Sequence, residues 1–202
     1  MGNSIQIDSD FEEYINIFLE ENSKLNLISR NDEKFLYEKH IYDSLAIKLF
    51  FDKYGNNFQS ILDIGCGGGF PCVPIAIEYP DIEITGIDSI QKKIASIERI
   101  KAKLNLRNLN LICDRAENIK NLKYDLILSR AVADLAKITA YAAPLLNKNG
   151  YFLAYKSKKA DVEIAAAENN IKKFGMKIID TIEYTLPTED TYLRKLICLQ
   201  KL

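Results

Sequence analysis

One histidine, His40, is all the imidazole this chain has. A histidine-based metal site, or a Ser-His-Asp or Cys-His nucleophilic device, would have to run through that one ring, so no metal is expected. Cysteine is also sparse. Cys66, Cys72, Cys113 and Cys198 are scattered with no C-x-x-C pair. They read as buried or incidental thiols in a reducing compartment, and the chain as cytoplasmic. No apolar run reaches the ~18 residues that a membrane span needs. The opening stretch MGNSIQIDSDFEEYINIF lacks a basic segment followed by an apolar one, so no signal peptide is expected. Gln6 stands where a myristoylation signal wants Ser or Thr. Charge of either sign is not in excess: 27 Lys and Arg face 28 Asp and Glu, for a net charge of -1. That balance neither requires nor excludes a nucleic-acid partner, because a local basic patch can sit on a neutral protein.

What is present is an ordinary globular composition, 48% hydrophobic and 27% charged over 202 residues. Such a chain buries one sizeable core with room for a small appendage. From Asp10 to about Lys53 the apolar residues recur at helical spacing. The stretch NLISRND interrupts them, with Asn31 or Asp32 as the expected N-cap. From Ser60 the period changes to short apolar runs alternating with amphipathic stretches, the pattern of parallel βαβ units. Strands are expected at 60–64, 82–87, 109–113, 124–129 and 149–156. Helices are expected near 71–79, 89–105, 115–120, 134–146 and 158–174. Two further strand-like runs joined by LPTEDT have no helix between them and should form an antiparallel hairpin. No internal repeat or linker is visible. The economical reading is one domain, with residues 1–55 a helical extension and 56–202 an α/β core.

The chemistry-bearing feature is the stretch ILDIGCGGGFP, Ile61 to Pro71. Gly65 and Gly67, just past a strand, admit backbone angles closed to other residues and let a ligand approach the main chain. The helix that Pro71 or Cys72 opens would favour a negative group at its N-terminus. A phosphate loop of the G-x-x-x-x-G-K-[ST] type is excluded, because no Lys-Ser or Lys-Thr follows. A dinucleotide fingerprint counted from Gly65 puts its third glycine at Phe70, where close helix-strand packing needs a small residue. The pattern D-x-G-x-G-x-G at 63–69 instead matches the cofactor loop of class I, Rossmann-like S-adenosylmethionine-dependent methyltransferases. Asp88, ending the second strand, suits both ribose hydroxyls, though nicotinamide enzymes share that acid. Asp114, Ala116 and Glu117 fall at the adenine level, although the acids also suit the capping of a short helix.

Beyond the fourth strand lies Ser129-Arg130-Ala131, on the side where open α/β sheets react. No D/N-P-P-Y motif and no obvious nucleophilic cysteine is present there. Arg130 offers a fixed cation with a planar donor fork, fit for a carboxylate, a phosphate or the acceptor edge of a base. Lys156, with Lys158 and Lys159 beyond it, suits a phosphate or simply solvent.

In order along the chain, NLISRNDEKFLYEKHIYDSLAI, ILDIGCGGGFPCVPIAI, IDSIQKKIASIE, CDRAEN, YDLILSRAVADL and LRKLICLQK resemble the RsmG (GidB) family. The resemblance runs from about Asn22 to Leu202. It implies a mostly parallel seven-stranded sheet with a C-terminal antiparallel hairpin. It implies transfer of a methyl group from S-adenosylmethionine to N7 of a guanine in the 530 loop of 16S ribosomal RNA (nucleotide 527). The implied acceptor is that RNA, the small ribosomal subunit or an assembly intermediate. The family's cofactor positions match Gly65, Phe70, Ala116, Glu117 and Arg130; His40 and Asp43 match a motif bordering the substrate side. Ser157 and Ser96 depart from the family's usual glycine and aromatic. The chemistry agrees, since guanine N7 carries an in-plane lone pair and its attack on a sulfonium methyl releases no proton. Arg130 then acts by positioning, its charge near the sulfonium offset by a carboxylate such as Glu117. A small-molecule methyltransferase, a non-catalytic cofactor-binding assembly factor and a nicotinamide oxidoreductase are the alternatives, the last disfavoured by Phe70.

Overall fold

A computed structural model describes residues 5–7, 9–157, 159–188 and 192–202. The myristoylation reading, Lys158 and part of the LPTEDT turn lie outside the described residues. Helix α1 spans Glu12–Lys24, α2 Tyr42–Ser44 and α3 Ile47–Tyr54. The alternating part follows as β1 (Ser60–Ile64), α4 (Cys72–Glu78), β2 (Glu83–Asp88), α5 (Gln91–Lys103), β3 (Leu109–Cys113) and β4 (Tyr124–Arg130). Then come α6 (Leu135–Ala142), β5 (Leu146–Ser157), α7 (Ala160–Lys173), β6 (Met176–Thr185) and β7 (Leu193–Lys201).

The strands form one sheet in the order β3-β2-β1-β4-β5-β7-β6. Strands β1 to β5 pair parallel, and β7 runs antiparallel to both β5 and β6. Two-residue alternation sends side chains to opposite faces. Ile61, Leu126, Leu128 and Leu153 join Phe18, Phe50 and Ile97 on one face. Leu62, Ile127 and Phe152 join Ile138 and Ala167 on the other. Burying one such side chain is worth about 1.5–3 kcal/mol, so both layers are held by many independent contributions. Residues of α1 and α3 share a core with β1 and β4, which seats the N-terminal helices against the sheet.

The helical expectation for 31–53 needs correction. Ser29, not Asn31 or Asp32, is the N-cap, accepting from the Asp32 amide at 3.2 Å. A 3₁₀ segment (Arg30–Phe35), a π turn (Tyr37–Ile41) and α2 follow one another in place of one continuous helix. The Ser44 hydroxyl donates back to the His40 carbonyl at 2.6 Å, a side-chain bond that competes with regular helix geometry. The helix expected at 115–120 is a single 3₁₀ turn, Ala116–Asn118, whose N-cap is Arg115 without a side-chain cap; Asp114 precedes it and accepts from the Arg115 amide and the Asn118 side chain. The helix expected to reach 146 ends at Ala142, passes through a 3₁₀ turn, and gives way to β5 three residues early, where Leu146 already pairs with Tyr124.

Candidate functional site

A cleft of about 1320 Å³ opens over the C-terminal ends of β1, β2 and β4. Single-ligand pockets run to roughly 300–1,000 Å³, so this cleft lies above the usual range.

The turn after β1 forms its floor. Gly65, Gly67 and Gly69 have φ of 76°, 56° and 95°, a region that glycine enters without steric cost. A Cβ on Gly65 would collide with a methyl of Val132, and one on Gly69 would lie 2.8 Å from Val73 Cγ2. At Gly67 a Cβ would meet only the Gly65 carbonyl oxygen, at 3.8 Å, so this is the least crowded of the three. The turn is tied down from below: the Gly65 and Cys66 amides both donate to the Ile87 carbonyl, at 2.8 and 2.9 Å. Asp88 fastens it from the side, accepting from the Gly67 amide at 3.0 Å and the Ile90 amide at 2.9 Å. Each carboxylate oxygen keeps a second lone pair for a ligand.

The negative group favoured at the next helix N-terminus is present, and it is a side chain of the protein and not a ligand. The Cys72 amide donates to Asp63 Oδ2 at 3.1 Å, so the protein supplies its own carboxylate there. Asp63 is fully buried and its Oδ1 has no hydrogen-bond partner. Burial raises its pKa to about 7, against the opposing pull of the Cys72 amide and of Arg130.

Phe70 is 4% exposed and forms a pivot between the two halves of the cleft. Its ring packs on Phe18 and His40 with centroids 5.1 and 5.0 Å away, and the Arg130 guanidinium sits 5.2 Å from its centre. At a partly desolvated site such a cation-ring contact adds about 1–2 kcal/mol.

Arg130, at the end of β4, is a hub. One guanidinium nitrogen donates to Asp43 Oδ2 at 3.0 Å and to the Lys39 carbonyl at 3.3 Å. The other lies 3.1 Å from His40 Nδ1. Guanidinium only donates, so Nδ1 accepts and the ring proton resides on Nε2. Burial, and then the Arg130 charge, push the His40 pKa down to about 4, which keeps the ring neutral near pH 7. Asp43 in turn accepts from the Tyr184 hydroxyl at 2.7 Å, and Arg194 Nε lies 3.8 Å from the same oxygen. The carboxylate that offsets Arg130 is therefore Asp43 and not Glu117.

Ala116, Glu117 and Ile90 also line the cleft. A hydrogen bond from its own backbone amide holds the Glu117 carboxyl below its ordinary value. Lys156 does not present the free or solvated cation expected of it. Its ammonium donates to the Ala133 carbonyl at 2.7 Å and pairs with Glu163 at 2.6 Å. Among the described residues no cluster of His, Cys, Asp and Glu could hold a metal ion. No helix among them is long and apolar enough to cross a membrane.

A family model for rRNA small subunit methyltransferase G matches residues 7–185, a span that includes the glycine turn, Asp88 and Arg130. The chain belongs to that family. Ribosomal RNA small subunit methyltransferase G of Listeria welshimeri is 37% identical over 186 residues, 90% of this chain and 77% of that one. The protein of the same name from Staphylococcus epidermidis is 37% identical over 195 residues, covering 95% of this chain and 80% of its own. Among solved structures, M. jannaschii TYW2 in complex with AdoMet matches with a TM-score of 0.61 at 14% identity, covering 79% of this chain and 77% of that one. That likeness concerns the fold, the Rossmann-like methyltransferase fold expected from the residues.

Within the methyltransferase G frame, four residues at the site escaped sequence reasoning. Tyr184 and Arg194 face each other across the β6–β7 hairpin. Tyr155 donates from its hydroxyl to the Ser44 carbonyl at 2.9 Å, and Glu163 holds Lys156. The hairpin was expected, but its register was not, and only the register pairs Tyr184 with Arg194.

Proposed function

We propose that this chain transfers a methyl group from S-adenosylmethionine to N7 of a guanine in the 530 loop of 16S ribosomal RNA, nucleotide 527. The acceptor is the RNA within the small subunit or an intermediate of its assembly, and the reaction is cytoplasmic. The observation that carries this reading is the family match across both halves of the cleft. In this reading residues 1–55 and 56–202 act as one methyltransferase domain, the first bordering the RNA and the second the cofactor.

The residues fit the cofactor. The main chain at Gly65 and Gly67 forms a cradle, walled by Val132 at Gly65 and uncrowded at Gly67, and the free lone pairs of Asp88 suit two ribose hydroxyls. Ile90, 47% exposed and lining the same cleft as Ala116 and Glu117, offers an apolar surface for a purine. When bound, S-adenosylmethionine supplies an electrophilic methyl on a sulfonium sulfur. Phe70 and Arg130 set the boundary between cofactor and acceptor, and His40 and Asp43 border the acceptor side. Because N7 attacks with its own lone pair, the site needs no general base. Neutral His40, and Arg130 balanced by Asp43, keep uncompensated positive charge away from a cationic methyl donor. Rate enhancement then comes from alignment and from exclusion of water.

The test is incubation of the protein with methyl-labelled S-adenosylmethionine and unmodified small subunits or their RNA. One label per RNA is expected. Absence of label from the RNA, with cofactor binding intact, overturns the reading and points to a small-molecule acceptor.

A further inference from the structure

Residues 131–134 join β4 to α6, and all four line the cleft. Ala131 has φ of 57°, a backbone conformation that a non-glycine residue keeps only when its surroundings hold it there. Val132 presses its methyls into the space a side chain on Gly65 would need. The segment therefore walls the cofactor cradle without belonging to a helix or strand.

Two side chains hold it. Lys156 Nζ donates to the Ala133 carbonyl at 2.7 Å. Glu163 Oε2 accepts from the Leu135 amide at 2.9 Å and pairs with Lys156 at 2.6 Å. One carboxylate oxygen on α7 thus fixes the first residue of α6 and the lysine that grips the loop. The Lys156 side chain is 10% exposed and that of Glu163 27%, so water competes weakly for either.

We propose that Glu163 is a positioning residue for the cofactor, acting through Lys156 to hold the Ala131–Asp134 loop against the Gly65 turn. The proposal rests on the reading that this cleft binds S-adenosylmethionine. It requires an acceptor at Glu163 more than it requires a charge, since both donors reach the same oxygen. Glu163→Ala removes the acceptor; Glu163→Gln keeps one.

The experiment is calorimetric titration of S-adenosylhomocysteine, the demethylated product, into the full chain. Wild type is compared with E163A, E163Q, K156A and the K156A/E163A double variant, with melting temperatures recorded. E163A should bind about tenfold more weakly, the scale of a lost hydrogen bond to a charged group. E163Q should stay within about threefold of wild type by the same reasoning. The double variant should be no weaker than the weaker single one, because the two residues act as one unit. If E163A does not fold, E163Q and K156A carry the test, with K156A expected to lose affinity and E163Q to keep it. Unchanged affinity in E163A or K156A overturns the proposal, as does a loss in E163Q equal to that in E163A. Failure of the wild type to bind refutes instead the assignment of the cleft.

Discussion

The cleft has two halves built on different principles. The glycine half, from Asp63 through Cys72 to Asp88, is held by bonds to backbone amides, between residues 9 and 21 positions apart. The arginine half is held by side chains that meet across 87 positions, for Arg130 with Asp43, and 141, for Asp43 with Tyr184. A backbone-made turn tolerates little, because each angle is fixed by the absence of a side chain. A side-chain hub has several partners per group, so losing one leaves others in place. The first half should therefore fail abruptly on substitution and the second by degrees.

The most severe test is Gly65→Asp. With φ at 76° and Val132 against any Cβ, the turn cannot keep its shape. Cofactor affinity should fall by roughly 100-fold or more, read by calorimetry. Near-normal binding would mean that the turn is not the cradle. Next comes Arg130→Ala, which strips a buried carboxylate of its strongest partner. Denaturant unfolding should show a loss of about 3 kcal/mol, at the low end for a broken buried pair because Tyr184 and Arg194 remain.

Asp63 gives a pH test of the glycine half. Its pKa, raised to about 7, means that the folded state retains a proton which the unfolded state has already lost. Stability from this group is thus full below about pH 4 and falls as pH rises to about 7. Wild type measured against Asp63→Asn should lose on the order of 2 kcal/mol between pH 5 and pH 7, then level off. A difference independent of pH would show that Asp63 is ionised in the fold. The mildest change is Tyr184→Phe, which deletes one hydrogen bond to Asp43. It should cost about 1.5 kcal/mol in denaturant unfolding while Arg130 keeps its place. A loss as large as that of Arg130→Ala would erase the contrast between the halves.

The same contrast explains what was legible in the sequence. The strand positions, the glycine turn, Asp88 and the C-terminal hairpin follow from local period and local residue type. Phe70, read first as the residue that spoils a dinucleotide motif, is the ring on which Arg130, His40 and Phe18 converge. The arginine half was legible only as separate residues. His40, Asp43 and Arg130 were each suspected, but nothing local says that Asp43 is the counter-ion, and Glu117 was given that part. The pairing of Lys156 was missed for the same reason: its partner Glu163 lies on the next helix, beyond any motif. The broken helix at 30–44 escaped because apolar spacing does not distinguish α from 3₁₀ and π turns over so few residues.

Where the methyl group goes decides the proposed function. Small-subunit RNA methylated by the purified protein can be cleaved chemically at N7-methylguanosine and the break mapped. One break is expected, at a single guanine of the 530 loop, absent when Gly65→Asp replaces the wild type. Label at another atom, at another base or spread over several guanines would contradict it.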